Sequence, residues 1–213
     1  MSDKVKTPRL LRFSMHFLCI LPLPVLLVAY LTDNLTVNPI QAATQRIGDV
    51  AIILLLLSIA CSPLYNLTGL SQLLKLRRPL GLYAFLYSFL HLILFVGVDF
   101  GFNLKYLLPE FLEKRYLWAS LPAFLILFIL AITSFKYAKR LLGRNWKRLH
   151  RLVYVSVVLV ILHLAWVVKG DLFQLSGDIW KPLVAGIVAL VLLILRLPPL
   201  TRLLKNRLEI PRS

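Results

Sequence analysis

NWKRLHRLVYVSVVLVILHLAW, Asn145 to Trp166, holds two of the chain's four histidines, one at each end of an apolar run. Lys147, Arg148 and Arg151 surround His150 with positive charge, and eleven uncharged residues, 152–162, then lead to His163. About 20 such residues in one helix cross a hydrocarbon core of ~30 Å, which puts the His163 imidazole inside the bilayer. An ionisable group at that depth is costly and marks a pathway, a relay or a ligand site.

The rest of the chain has the same character. Of its 213 residues 59% are hydrophobic, with a mean hydropathy of +0.80, against roughly 45–50% apolar in soluble domains. Six runs have transmembrane length, near 13–31, 47–65, 80–100, 117–135, 148–168 and 179–197. A membrane β-barrel would alternate apolar and polar residues, whereas 51–60 and 124–132 are apolar on every side. The expected fold is all-α integral membrane: a six-transmembrane-helix bundle forming one domain over 1–213. No removable signal peptide is expected before the first span. Pro22, Pro24, Pro63 and Pro122 fall in or near spans and read as tolerated kinks.

Charge sets the orientation. Nineteen Lys and Arg fall in the N-terminal tail, the second and fourth loops and the C-terminal tail, against six on the other side, which also holds seven of the nine acids. The positive-inside rule then makes both termini cytoplasmic. The net charge of +16 sits in short clusters between spans, which excludes a nucleic-acid face and favours contact with membrane lipid. Cys19 and Cys61 lie singly in apolar runs and read as buried small residues rather than a disulfide or thiolate site. The chain lacks GxGxxG, Walker A and HExxH patterns and shows no internal sequence repeat. The stretch Tyr106 to Trp118 mixes aromatics, leucines and charge, as interfacial segments do. The tail after Pro198 and Pro199 reads as an amphipathic segment on the inner surface.

Two histidines are matched in depth. His91 lies thirteen residues past Arg78, and His163 twelve past Arg151, so both are roughly 18–20 Å from the basic edge on helices running the same way. Such a pair suits one haem iron, because porphyrin faces pack on Leu, Val and Phe while neutral imidazoles take the axial positions. His150, at the inner edge, is a candidate ligand for a second haem. On one ideal helix, however, its azimuth is about 220° from that of His163. The position on the third span that matches His150 is Arg77 or Arg78, and His16 on the first span is an alternative inner partner.

The segments RRPLGLYAFLYSFLHL (77–92), GRNWKRLHRLVYV (143–155) and ILHLAW (161–166), with MHFLCILP (15–22), resemble the MsrQ family, once called YedZ. These are haem-binding membrane subunits of the periplasmic protein-methionine-sulfoxide reductase system, within the ferric-reductase-like transmembrane group. The resemblance implies a multi-pass protein of the bacterial inner membrane with haem b, one or two per chain, and FMN. It implies electrons from the quinone pool or a cytoplasmic flavin reductase, passed to a periplasmic molybdopterin subunit that reduces methionine sulfoxide. The chain itself would be the electron-transfer subunit, not the catalytic one. The family's histidines correspond to His91, His150 and His163; Arg77 and Arg78 stand where larger ferric reductases have a fourth. Arg77, Arg78, Arg140 and Arg144 are candidates to hold the flavin phosphate. The alternative readings are a self-contained ferric reductase, a cytochrome b561-like quinone oxidoreductase, or a non-redox transporter with protonatable gates.

Overall fold

Capping chemistry delimits the longest helix. Asn38 Oδ1 accepts the Gln41 N–H at 3.1 Å, and Pro39, whose missing N–H costs nothing in a first turn, opens α3, Pro39–Thr68. Gly69 closes it at φ 73°, its N–H bonded to the Tyr65 carbonyl at 2.8 Å, a left-handed position that glycine takes without strain. The computed structural model describes residues 9–168, 170–171, 176–177 and 179–197. They fall into two compact units, one extending to Asp99 and resumed from Ile194, the other Phe100–Leu193.

In the first unit, α1 (Arg9–Ile20) and α2 (Pro22–Leu31) form one apolar stretch broken at Leu21, where Pro22 and Pro24 remove two backbone donors. α3 packs on α4, Gln72–Ile93, which continues as a π-helical turn, Leu94–Asp99. Leu54, Leu55 and Ile59 of α3 and Leu80, Ala84 and Tyr87 of α4 are buried. Gly81 lets the two helices close, since a β-carbon there would lie 3.2 Å from Ser58 Oγ, and Ser58 donates to the Arg77 carbonyl at 2.8 Å. Tyr87, with 0% exposure, donates its hydroxyl to the Cys19 carbonyl of α1 at 2.7 Å. Tyr87→Phe is therefore expected to cost about 1 kcal/mol, the usual net worth of such a bond. A lowered Tm of the purified protein in detergent checks this, and an unchanged Tm would remove the bond's role in seating α1.

The second unit holds α5 (Leu104–Glu113), α6 (Arg115–Ile132), α7 (Lys136–Leu149), α8 (Leu152–Val167) and nearly all of α9 (Trp180–Ile194). β1 (Gly170–Asp171) and β2 (Ser176–Gly177) make a two-residue antiparallel ladder between α8 and α9. α6 packs on α8 through small residues: Ala119 and Ala123 are buried, and Ser156, at 0% exposure, donates to the Ala123 carbonyl at 3.3 Å. Small side chains allow this close approach where lipid supplies no hydrophobic drive between helices. Outward faces are apolar, as with Phe13 and Phe17 on α1 and Ile187 and Leu190 on α9, because the surrounding medium is hydrocarbon. The chain is an all-helical multi-pass membrane protein.

Several sequence expectations change here. Among the described residues, four helical stretches have the length and composition of a span: Arg9–Leu31, Pro39–Thr68, Gln72–Asp99 and Arg115–Ile132. A fifth exists if α7 and α8, bent by 54° at their junction, are taken as one; α9 has 15 residues. The expected fifth span from 148 thus begins at Leu152. The bend occurs at His150 and Arg151, where the basic run meets the apolar one, so the azimuth reckoned on one ideal helix does not apply. The Tyr106–Trp118 stretch spans the end of α5 and the start of α6 with Lys114 extended between them; Asn103 Oδ1 caps α5 by accepting the Lys105 N–H at 3.0 Å, and Trp118 Nε1 donates to the Phe111 carbonyl at 2.7 Å. Both cysteines are buried and unbridged, as expected. The C-terminal amphipathic segment lies outside the described residues.

A repeat absent from the sequence reading is present in the geometry. His91 is bonded to the carbonyl of residue 44 and His163 to that of residue 116, 47 residues back in each case. The offset of 72 relating these pairs also relates buried Leu55 to Leu127, Ala51 to Ala123, and Ala84 to Ser156. Each unit is built on a helix pair with the same internal arrangement. Few side chains match along that register, so the sequence hides it.

Candidate iron-ligating histidines

His91 is on the last turn of α4, and its ring reaches the start of α3, where Nδ1 lies 2.9 Å from the Thr44 carbonyl. A carbonyl only accepts, so Nδ1 carries the proton and Nε2 the lone pair. The ring rests on Gly48, one helical turn after Thr44: a β-carbon there would come within 3.0 Å of Nδ1 and 3.1 Å of Cε1. Sequence reading passed over this glycine. Its one signal was a glycine in the polar first half of an otherwise apolar span.

His163, on α8, repeats the arrangement in the second unit. Its Nδ1 is 2.9 Å from the Tyr116 carbonyl at the start of α6, and the Tyr116 ring meets it edge-on, centroids 5.8 Å apart. The same tautomer follows, with the lone pair on Nε2. Metal-bound histidines characteristically donate their other N–H to a carbonyl or carboxylate, which fixes the ring and raises ligand basicity. His91 and His163 both have this preparation and therefore fit an axial haem-ligand role. No three His, Cys, Asp or Glu residues converge among the described residues; axial ligation asks for one imidazole per face and needs no such cluster.

His150 is held differently. It caps α7, its Nε2 lies 3.2 Å from Thr133 Oγ1, and Trp146 stacks on it with centroids 4.1 Å apart. Thr133 directs its own hydroxyl proton to the Ile129 carbonyl at 2.6 Å, so Nε2 is the donor to Oγ1 and the lone pair falls on Nδ1. Trp146 is fixed in turn by donating Nε1 to the Thr133 carbonyl at 2.9 Å, with Lys139 Nζ 5.0 Å above its ring. Thr133, Trp146 and Lys139 were not anticipated from sequence. Ligation through Nε2 would require His150 to leave Thr133.

Of the remaining candidates, Arg140 and Arg144 lie on α7 in the second unit, and His16, Arg77 and Arg78 lie in the first. His16 is exposed, its Nδ1 2.9 Å from the Tyr83 hydroxyl, and it lines one cavity together with Arg78. Arg77 is half-buried and gives its carbonyl to Ser58. The 72-residue offset superposes Arg78 on His150, so the two units differ at that shared position.

Two paired helices of this kind, each turning a half-buried histidine back on its partner, fit a ferric-reductase-like membrane module. Residues 47–161, from α3 into α8, match the family of the ferric reductase like transmembrane component. Similar proteins include three called protein-methionine-sulfoxide reductase heme-binding subunit MsrQ. That of Herminiimonas arsenicoxydans is 36% identical over 188 residues, 88% of this chain and 84% of the relative. That of Rhodospirillum rubrum is 36% identical over 196 residues, 91% of each. That of Ralstonia nicotianae is 36% identical over 162 residues, 76% of this chain and 75% of the relative. The chain belongs to the MsrQ family.

Proposed function

We propose that this chain is a b-type haem membrane subunit that carries electrons across the bacterial inner membrane to a periplasmic molybdopterin methionine-sulfoxide reductase. The carrying observation is the repeated histidine geometry: two imidazoles, each with Nδ1 committed to a carbonyl 47 residues earlier, each with its lone pair on Nε2. Bound there, haem would supply a one-electron carrier. Thr44, Gly48 and Tyr116 orient the two rings, and the apolar helices around them keep water from the site.

In this reading the chain acts as one domain with six spans, α8 and α9 being the fifth and sixth, and both termini are cytoplasmic. His91 and His163 share one iron. His150, at the basic end, marks the electron entry and is the candidate ligand of a second haem. Electrons come from the quinone pool or a cytoplasmic flavin reductase, and FMN is held through its phosphate by arginines of the basic loops. The relatives' names support haem binding and service to a methionine-sulfoxide reductase.

The test uses the purified protein in nanodiscs, reduced with dithionite and freed of excess reductant. Its haem is expected to reoxidise when the molybdopterin reductase and methionine sulfoxide are both present, two electrons and two protons converting each sulfoxide to methionine and water. Equal reoxidation by a ferric chelate without that partner would point to a self-contained ferric reductase; a preparation without a Soret band would overturn the redox reading. In the same preparation His150→Ala is expected to retain about half the haem. An unchanged haem-to-protein ratio would remove His150 from the ligand set.

A further inference from the structure

At the basic end of the first unit, α1 and the opening turns of α4 enclose a cavity of about 360 Å³. Arg12, His16, Lys75 and Arg78 line it, with Met15 and Pro79 among its apolar walls, and none of its lining residues is acidic. α4 starts at Gln72 behind Ser71, whose side chain makes no capping hydrogen bond, and although the Leu70 carbonyl accepts the Leu73 N–H at 3.1 Å, the helix start adds partial positive charge beside Lys75. Positive-inside bias accounts for cations near a membrane surface, but it does not account for three of them on two helices converging on one hollow. On the same helix as Arg12 and His16, α1 exposes Leu10, Phe13 and Phe17, which form an apolar strip at helical spacing. The equivalent position in the second unit is His150, where an imidazole is clamped by Thr133 and Trp146; Arg78 replaces it here with a permanent cation that cannot ligate iron.

We infer that this cavity binds the phosphate group of an anionic phospholipid, whose acyl chains lie along the outward face of α1. Arg12 and Arg78 offer forked N–H donors to phosphate oxygens, Lys75 a third charge, and His16, turned by Tyr83, a further polar group at the rim. The apolar wall and the neighbouring Phe13 and Phe17 give the site its preference for a phosphate attached to a hydrocarbon body over a free one.

The experiment is native mass spectrometry of the full chain, delipidated and then titrated with phosphatidylglycerol or with phosphatidylcholine. Each Lys or Arg near an anionic headgroup is worth roughly a factor of five. The Arg12→Gln, Lys75→Gln, Arg78→Gln triple variant is therefore expected to bind phosphatidylglycerol on the order of 100-fold more weakly. The wild type is expected to prefer phosphatidylglycerol to phosphatidylcholine. Circular dichroism confirms that the variant is folded. Inorganic phosphate at millimolar concentration is expected to leave the lipid adduct in place. Equal lipid binding by the triple variant, or equal binding of the zwitterionic lipid, would overturn the proposal. Displacement by inorganic phosphate would overturn the lipid as occupant and make the site one for free phosphate.

Discussion

Alanine at His91, and separately alanine at His163, is expected to lower the haem recovered per polypeptide by about tenfold or more for the same spectral component. Losing an outer partner of a metal ligand alone costs about 10–100-fold in affinity; losing the ligand costs at least as much. The two rings are held equivalently. Each ring is turned by a backbone carbonyl of its own helix pair at 2.9 Å, and each is left with Nε2 as the basic nitrogen. If the two share one iron, each single variant removes the same Soret component and the double variant removes no more. If they serve separate irons, the single losses are partial and add in the double variant. Pyridine haemochrome quantification with low-temperature difference spectra separates these outcomes, and full haem retention in both single variants would refute the ligand assignment altogether.

Substitution at Gly48 is expected to separate fold stability from cofactor retention. In a helix interior alanine is favoured over glycine by about 1 kcal/mol, so Gly48→Ala should leave α3 more stable, not less. Yet the added β-carbon would sit 3.0 Å from Nδ1 of His91, and the ring must move off the Thr44 carbonyl to admit it. Haem retention is expected to fall by about tenfold, towards 100-fold for the bulkier Gly48→Val, in the range found for lost orienting contacts. Ser120, 72 residues on, already carries a β-carbon and donates its hydroxyl to the Leu117 carbonyl; Ser120→Ala should leave haem content unchanged. A Gly48→Val protein with normal haem content and a shifted Tm would mean that the glycine serves packing alone.

Hydropathy made the membrane class and the main helices legible, because a span declares itself by length and polarity whatever its partners. Boundaries were less legible: caps such as Asn38 and Gly69 extend α3 well beyond its apolar core, and the bend at His150 depends on how α7 turns, which hydropathy does not record. The candidate site was half visible. Histidine in hydrocarbon stands out in any sequence, so His91 and His163 were found. Their supporting groups were not, because Thr44 and Tyr116 contribute only main-chain carbonyls and Gly48 contributes the absence of a side chain. Thr133, which sets the His150 tautomer, lies seventeen residues away and bears no chemical mark of its task. The repeat was hidden for a related reason: it is conserved as contact geometry between small residues, where Ala84 and Ser156 are interchangeable.

The self-contained nature of each helix pair bears on how such a protein matures. The carbonyl that turns His91 and the glycine beneath it belong to α3, immediately before α4 in the chain, so this ring can be aimed as soon as the first hairpin has entered the bilayer. The second hairpin, from Arg115 onward, brings its own carbonyl for His163. Neither histidine waits for the other, nor for a cofactor, to acquire its orientation. Each ring's orientation is thus local to one helix pair, encoded by residues 47 apart in the chain and independent of the other pair.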